Sequence, residues 1–150
     1  MNKETPKTLI ERFGFNDAEL TTPLHDKMLL WSLENIRKLG KLIPNYLGYK
    51  PSTVQAEFPI MGYNDFNIGF VDLRFQVKLD DEEKECPFVY VEIKPTVYSI
   101  GELIRQINFY RSHLDAKTTK FLVLTKTKGL KDVLASQDIY VYEFIEEEVA

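Results

Sequence analysis

Three polar residues in two apolar segments have the types and spacing for metal-assisted chemistry. Asp72 lies between Val71 and Leu73, where a carboxylate is costly unless a partner compensates its charge. After a further 19 residues come Glu92 and Lys94, which face the same side of an extended strand because one residue separates them. Two carboxylates beside an ammonium group can hold Mg²⁺ or Mn²⁺, acidify a bound water and stabilise charge on a phosphoryl group. The pattern therefore indicates metal-assisted phosphodiester cleavage.

The elements that would position these residues alternate between helices and strands. Apolar periodicity predicts helices over residues 23–39, 99–114 and, for one or two turns, 129–135, and strands over residues 54–61, 69–79, 87–94, 120–125 and 139–145. A short helix around residues 8–13 and an acidic turn over residues 80–85 complete the prediction. The core order α-β-β-β-α-β predicts an α/β protein with a mixed sheet and helices packed on it.

Capping signals set the start of both long helices. Thr22 before Pro23 is a typical N-cap followed by proline at the first helical position, and Ser99 with Glu102 forms a capping box. On a helical wheel the first helix places His25 within its apolar face and Glu34 on the opposite side. His25 is therefore the better candidate for a site residue on this helix.

Composition limits the class of protein. The chain has 150 residues, 44% apolar and 28% charged, which fits one domain over residues 1–150 with a core over about 22–145 and peripheral ends at 1–21 and 146–150. No apolar run approaches the roughly 18 residues of a membrane span, and the first residues lack the apolar region of a signal peptide, so a cytoplasmic protein without a membrane partner is expected. Cys86 is the single cysteine, which excludes an intramolecular disulfide and a cysteine zinc site.

The net charge of −4 hides an uneven distribution. Acidic residues concentrate in residues 80–85 and 143–148, and the remainder of the chain is mildly basic. A basic surface suited to DNA would draw on Arg105, Arg111, Lys117, Lys120, Lys126, Lys128 and Lys131, although a solvated face explains such a cluster equally well.

The residues together resemble the PD-(D/E)XK nuclease superfamily. Asp72 followed by Glu92-Ile93-Lys94 is similar to its signature, the α-β-β-β-α-β order is similar to its restriction-endonuclease-like core, and Gly69-Phe70-Val71-Asp72 resembles the strand of RecB-like members. Gln106 and Tyr110 match the Q-x-x-x-Y helix motif of the same branch. The resemblance covers roughly residues 22–145, and the proline that often precedes the first acid is replaced by Val71.

The resemblance implies a role for each matching residue. Asp72, Glu92, the backbone carbonyl of Ile93 and His25 would bind Mg²⁺ or Mn²⁺, with Glu34 as the alternative to His25. Lys94 would serve the attacking water and the transition state. Gln106 and Tyr110 would orient the site or contact DNA phosphates. The expected activity is that of a deoxyribonuclease, with endonucleolytic or exonucleolytic action, strand preference and even DNA rather than RNA left open.

Other interpretations remain open at this point. A non-catalytic module on the same fold would bind nucleic acid or protein as a subunit of a DNA-processing complex, and an unrelated α/β protein would carry the motif by accident. A homodimer, or a partner protein that supplies specificity, would suit so small a nuclease. Glu57 is expected to be structural rather than part of the acidic cluster, Glu102 a cap, His113 a residue stabilised by a helix dipole, and Cys86 an inert thiol.

Overall fold

A mixed five-stranded sheet forms the centre of the computed structural model, which describes residues 22–80 and 86–146. The elements are α1 (Pro23–Glu34), α2 (Ile36–Gly40), β1 (Tyr46–Met61), β2 (Asn67–Leu79), β3 (Phe88–Ile93), α3 (Ile100–Arg111), β4 (Thr119–Thr125), α4 (Lys131–Ala135) and β5 (Ile139–Glu143), with 3₁₀ turns at Tyr63–Asp65 and Ala116–Thr118. The sheet order is β1-β2-β3-β4-β5. The first three strands pair antiparallel, and β3, β4 and β5 run parallel. The predicted α/β class and element order are confirmed.

Two apolar cores lie on opposite faces of the sheet. On one face, α1 and α2 cover Leu73, Phe75, Val91 and Leu122, among others. On the other face, α3 and α4 cover a second cluster that includes Val123. None of the described helices is long and apolar enough to cross a membrane.

The first helix is shorter than predicted because Asn35 interrupts it. The Asn35 side chain donates to the Trp31 carbonyl at 2.8 Å, and its backbone leaves the helical region at φ −128° and ψ 37°. Asparagine competes for backbone groups in this way, which disfavours it inside helices. The predicted single helix over residues 23–39 is therefore two helices, α1 and α2.

Strand β1 is twice as long as the predicted segment over residues 54–61. Its first half contains Gly48 and Pro51, which favour a loop in sequence. The structure accommodates them because β1 is an edge strand, where an absent ladder hydrogen bond is tolerated. The Thr53 hydroxyl accepts a bond from the Gln76 backbone at 2.9 Å where the register shifts between Lys50 and Gln55.

Both predicted caps are present. Thr22 Oγ1 accepts a hydrogen bond from the His25 backbone at 3.2 Å, and Ser99 Oγ accepts one from Glu102 at the same distance. The helix expected around residues 8–13 and most of the acidic turn over residues 80–85 lie outside the described residues.

Candidate active site

The candidate site lies where β2 and β3 separate. Their hydrogen-bonded ladder ends at the pair Leu73 and Val91. Asp72, the next residue on β2, accepts a bond from the Ile93 backbone N–H through Oδ2 at 2.7 Å. A side-chain oxygen thus satisfies a buried backbone donor beyond the last ladder pair. The separation of the strands creates the space in which the polar side chains meet.

His25 reaches Asp72 from α1. Its Nε2 atom lies 2.9 Å from Oδ1 of Asp72, and both side chains are almost fully buried. Burial by itself would lower the pKa of His25, but the hydrogen bond and charge of Asp72, with the charges of Glu57 and Asp26, outweigh it and raise the pKa to about 9. The imidazole is therefore cationic at neutral pH and compensates the buried Asp72 carboxylate. Glu34, the alternative on this helix, is exposed.

Glu92 and Lys94 stand on the other side of the gap. The Lys94 ammonium nitrogen lies 3.7 Å from Oε2 of Glu92, with about a third of the lysine side chain exposed and the glutamate buried. Oε1 of Glu92 has no hydrogen-bond partner within the described part of the chain. Burial first, and repulsion by Asp72 second, raise the pKa of Glu92 although Lys94 opposes them. A cation would stabilise this carboxylate as an anion.

Glu57 is a further acid of the site. It lies on β1 between residues that pair with Leu73 and Val71, which places it opposite Asp72. Its side chain is 1% exposed, and its Oε1 atom lacks a hydrogen-bond partner among the described residues. Its φ of 52° is in the left-handed region, a conformation that costs a glutamate roughly 1–3 kcal/mol. Burial and then repulsion by Asp72 raise its pKa to about 8, although His25 opposes the shift.

Glu57 thus joins the acidic cluster, which the sequence analysis treated as the less favoured alternative. The sequence feature that pointed to Glu57 was its place within an apolar strand segment, but strands with one buried and one exposed face show the same pattern. Only the pairing of β1 with β2 brings this residue to Asp72.

Gln106 and Tyr110, the two motif residues on α3, lie against the same gap. Gln106 Nε2 is 3.5 Å from the Tyr110 hydroxyl, which also hydrogen-bonds the Phe70 backbone. Burial first, with the nearby Glu92 carboxylate, raises the pKa of Tyr110. Gly69 makes this packing possible because a Cβ atom there would lie 2.5 Å from the Tyr110 hydroxyl oxygen. Glycine is therefore required at position 69 for a steric reason, because the Tyr110 ring lies close to the backbone there.

An open cleft of about 560 Å³ leads to the site. Its lining includes Ile93 and Lys94 at the end of β3, Thr22 and His25 at the start of α1, and Gln106 on α3. The other lining residues are Pro95, Thr96, Val97, Tyr98, Ser99, Glu102 and Leu103. The cleft therefore connects solvent to Lys94 and to the motif residue of α3.

The candidate basic surface is only partly free to bind. Arg111 donates to the carbonyls of Gln137 and Asp138 at 3.0 and 3.1 Å, so its guanidinium joins α3 to the segment before β5. Lys126 pairs with Glu146 at 2.9 Å and Lys131 with Glu143 at 3.4 Å. Arg105 and Lys117 are exposed.

Of the remaining candidates, His113 and Cys86 do not line the cleft, whereas Glu102 does. His113 hydrogen-bonds the Phe109 carbonyl at 3.0 Å. Cys86 is a free, half-buried thiol. Glu102 is exposed at the start of α3, where its backbone N–H is capped by Ser99.

The side chains of Asp72, Glu92, Glu57 and His25 have the chemistry to bind a divalent cation, although they are not arranged around one. Across residues 22–80 and 86–146, no three His, Cys, Asp or Glu side chains are grouped to hold a metal ion. The 2.9 Å between His25 Nε2 and Asp72 Oδ1 is a hydrogen-bond distance, so His25 would have to lose its proton before Nε2 could bind an ion. Buried oxygens of Glu92 and Glu57 without partners are the hard donors that such an ion requires.

Comparison with known structures supports the fold. A repair endonuclease from Pyrococcus abyssi superposes with a TM-score of 0.52 at 18% identity, over 87% of this chain and 48% of its own. The chain thus spans about half the length of that endonuclease, and at this identity the likeness shows a shared fold. The EndoMS–dsDNA2 complex is more distant, with a TM-score of 0.41 at 16% identity over 77% of this chain and 41% of its own. Neither a known protein family nor a curated protein sequence matches the chain.

Proposed function

We propose that this protein is a divalent-metal-dependent nuclease that hydrolyses DNA phosphodiester bonds at the gap between β2 and β3. The observation that carries the proposal is the buried pair of acids Asp72 and Glu92 at the end of one ladder, with the Lys94 ammonium beside Glu92. Burying two carboxylates together lowers stability unless a bound charge compensates them. The endonuclease fold shared with the Pyrococcus abyssi protein supports the same conclusion.

Asp72, Glu92, the Ile93 carbonyl and His25 would hold Mg²⁺ or Mn²⁺. When bound, the ion would supply Lewis acidity toward a phosphoryl oxygen and would lower the pKa of a water molecule. Glu57 adds a buried carboxylate close to Asp72. The unpartnered oxygens of Glu92 and Glu57 favour a cation over a purely structural polar cluster, since buried acceptors without partners are otherwise costly.

Lys94 would act on the reacting groups. It lines the cleft, is partly exposed, and its ammonium group lies beside Glu92. A fixed cation at this place would orient the attacking water and stabilise negative charge that develops on the phosphoryl oxygens. Gln106 would contact a backbone phosphate from the cleft wall, while Tyr110, which is buried, would hold Gln106 in place.

DNA is the proposed partner, with a phosphate at Lys94 and a strand extending past Arg105 on α3 toward Lys117, which precedes β4 at the end of β3 opposite Lys94. Both side chains are exposed and suit sequence-independent phosphate contacts. Arg111 is less suited because carbonyl groups of the protein occupy its donors.

A gel assay on circular single-stranded and supercoiled double-stranded DNA tests the proposal. Wild type is compared with Lys94→Ala and with Lys78→Ala, an exposed lysine on β2 that serves as the matched control. We expect cleavage of at least one of the two circular substrates with Mg²⁺ or Mn²⁺, none with EDTA, none by Lys94→Ala and full activity in Lys78→Ala.

Two results would contradict the proposal. Equal cleavage by Lys94→Ala would assign the activity to a different site or to a contaminant. No cleavage of circular or linear DNA by the folded wild type, at any tested metal concentration, would favour a non-catalytic binding module on this fold.

A further inference from the structure

Tyr98 lines the cleft, and its ring takes no part in the packing of the fold. Its side chain is 94% exposed, yet it belongs to the same cleft as Lys94 and Gln106. Among the described residues, its ring and hydroxyl have no stacking or hydrogen-bond partner. Single exposed aromatic residues are common on protein surfaces. What distinguishes Tyr98 is its place beside the proposed reaction centre.

The backbone that carries Tyr98 is fixed on both sides. Lys94 N–H donates to the Leu124 carbonyl at 2.9 Å, the Pro95 carbonyl accepts from Lys126 at 3.2 Å, and Val97 N–H donates to the Thr127 hydroxyl at 2.9 Å. Immediately after Tyr98, Ser99 caps α3. Hydrogen bonds therefore hold the backbone on both sides of the ring, which reduces the entropy cost of binding a flat ligand.

The charges around Tyr98 separate a phosphate position from a base position. Lys94 adds a cation to the lining of the cleft, whereas Glu102, an exposed residue of the same lining, repels phosphate from its own surroundings. A cleft of about 560 Å³ has the size of pockets that hold small molecules, so it is large enough for a nucleotide. A phosphate at Lys94 would leave its neighbouring nucleobase near the Tyr98 ring.

We infer that Tyr98 is a stacking platform for an unpaired nucleobase next to the cleaved phosphate, and that the substrate is single-stranded DNA or a duplex end or gap with unpaired nucleotides. A base that stacks on a protein ring must leave the stack of its own strand, which costs least where it is already unpaired. This inference rests on the proposed nuclease function and specifies its substrate class.

The test combines a change in the protein with a change in the DNA. Binding of labelled single strands is measured by fluorescence anisotropy in EDTA, which prevents cleavage, for wild type, Tyr98→Ala and Tyr98→Phe. A parallel set of strands carries one abasic nucleotide at successive positions. Tyr63→Ala is the control, because Tyr63 is 89% exposed but lies at the turn between β1 and β2, outside the cleft.

Stacking predicts a specific pattern of losses. Tyr98→Ala should weaken binding about 5- to 150-fold, the range for loss of one base–aromatic stack, and Tyr98→Phe should retain wild-type binding. One abasic position should weaken wild type to a similar degree and leave Tyr98→Ala unaffected. With Mg²⁺, Tyr98→Ala should raise KM and leave kcat unchanged, which a general loss of structure would not do.

Several results would overturn the inference. These are wild-type binding by Tyr98→Ala, equal losses in Tyr63→Ala, additive losses from Tyr98→Ala and the abasic nucleotide, or tighter binding of blunt duplex than of single strands. The two proposals fail separately. If the abasic nucleotide weakens binding by wild type but not by Tyr98→Ala, and no DNA is cleaved, the nuclease proposal is contradicted and the stacking site is retained. If DNA is cleaved in the presence of metal but the two changes act independently, the stacking site is contradicted and the nuclease proposal is retained.

Discussion

His25 and Asp72, 47 positions apart in the chain, form a buried pair with Nε2 and Oδ1 2.9 Å apart. The pair joins α1 to β2 and compensates the charge of an acid that also accepts the Ile93 N–H. His25 Nε2 becomes available to a cation only when it loses the proton that lies between it and Asp72. The contact thus stabilises the metal-free protein, and a bound metal ion would have to displace that proton.

Removal of His25 should destabilise the metal-free protein. His25→Ala leaves Asp72 buried without its cationic partner, and loss of one member of a buried pair costs about 3–5 kcal/mol of unfolding free energy. Urea denaturation in EDTA measures the change. His113→Ala is the control and should cost about 1 kcal/mol or less, since His113 is only half-buried. Equal stability of His25→Ala and wild type would show that the pair does not compensate Asp72.

Stability in EDTA should fall as pH rises from about 5 to 9. The pKa of His25 is raised from 6.5 to about 9, so its contribution is complete below pH 6.5 and is lost as pH passes 9. The pKa of Glu57 is raised from 4.5 to about 8, so the folded state holds a proton that the unfolded chain has released, and stability falls from pH 4.5 through 8. Both groups act in the same direction.

Glu57→Gln should reduce the pH dependence of stability, and should change stability and metal affinity in opposite directions. The amide removes an acid that burial and Asp72 disfavour, so Tm in EDTA should rise at pH 8 and its slope between pH 5 and 8 should become shallower. Affinity for Mg²⁺, measured by calorimetry, should decrease because one carboxylate is lost. A variant that is less stable at pH 8 than wild type would show that Glu57 is a structural residue.

Magnesium should stabilise the wild type through Asp72. A ligand that binds the folded state alone adds about 2.7 kcal/mol at 100 times its dissociation constant, which appears as a rise in Tm with added Mg²⁺. Asp72→Asn keeps the size of the side chain but removes its charge, and should abolish the rise. Asp132→Asn, at an exposed position of α4, should retain it. A full rise in Asp72→Asn would place the cation elsewhere.

Gly69→Ala should disturb Tyr110 and, through it, activity. The new Cβ atom would lie 2.5 Å from the tyrosine hydroxyl, and such overpacking costs about 1–3 kcal/mol. Thermal denaturation and the nicking assay measure the two effects. Gly48→Ala on β1 is the matched control, because nothing lies within 4 Å of its added Cβ atom and stability should change by about 0.5 kcal/mol or less. Equal behaviour of the two variants would refute the steric role of Gly69.

Much of the framework follows from local rules. The alternation in β2 and the Thr22 and Ser99 caps depend on neighbours a few positions apart, and the structure reproduces them. Strand β3 shows no alternation, because it is buried along almost its whole length. Where local rules compete, prediction was less accurate. Asn35 ended a helix whose apolar periodicity continued, and β1 extended through Gly48 and Pro51 because pairing with β2 outweighed local preference.

The sequence by itself determined the α/β order, the Asp72 and Glu92-x-Lys94 spacing, and the inward face on which His25 lies, because each depends on the 3.6-residue or two-residue period of its own element. The tertiary structure decided which side chains meet. The end of the ladder at Leu73–Val91 opens the gap, pairing of β1 with β2 brings Glu57 to Asp72, and packing of α3 turns Arg111 toward protein carbonyls. These contacts join positions far apart in sequence, so no local period encodes them.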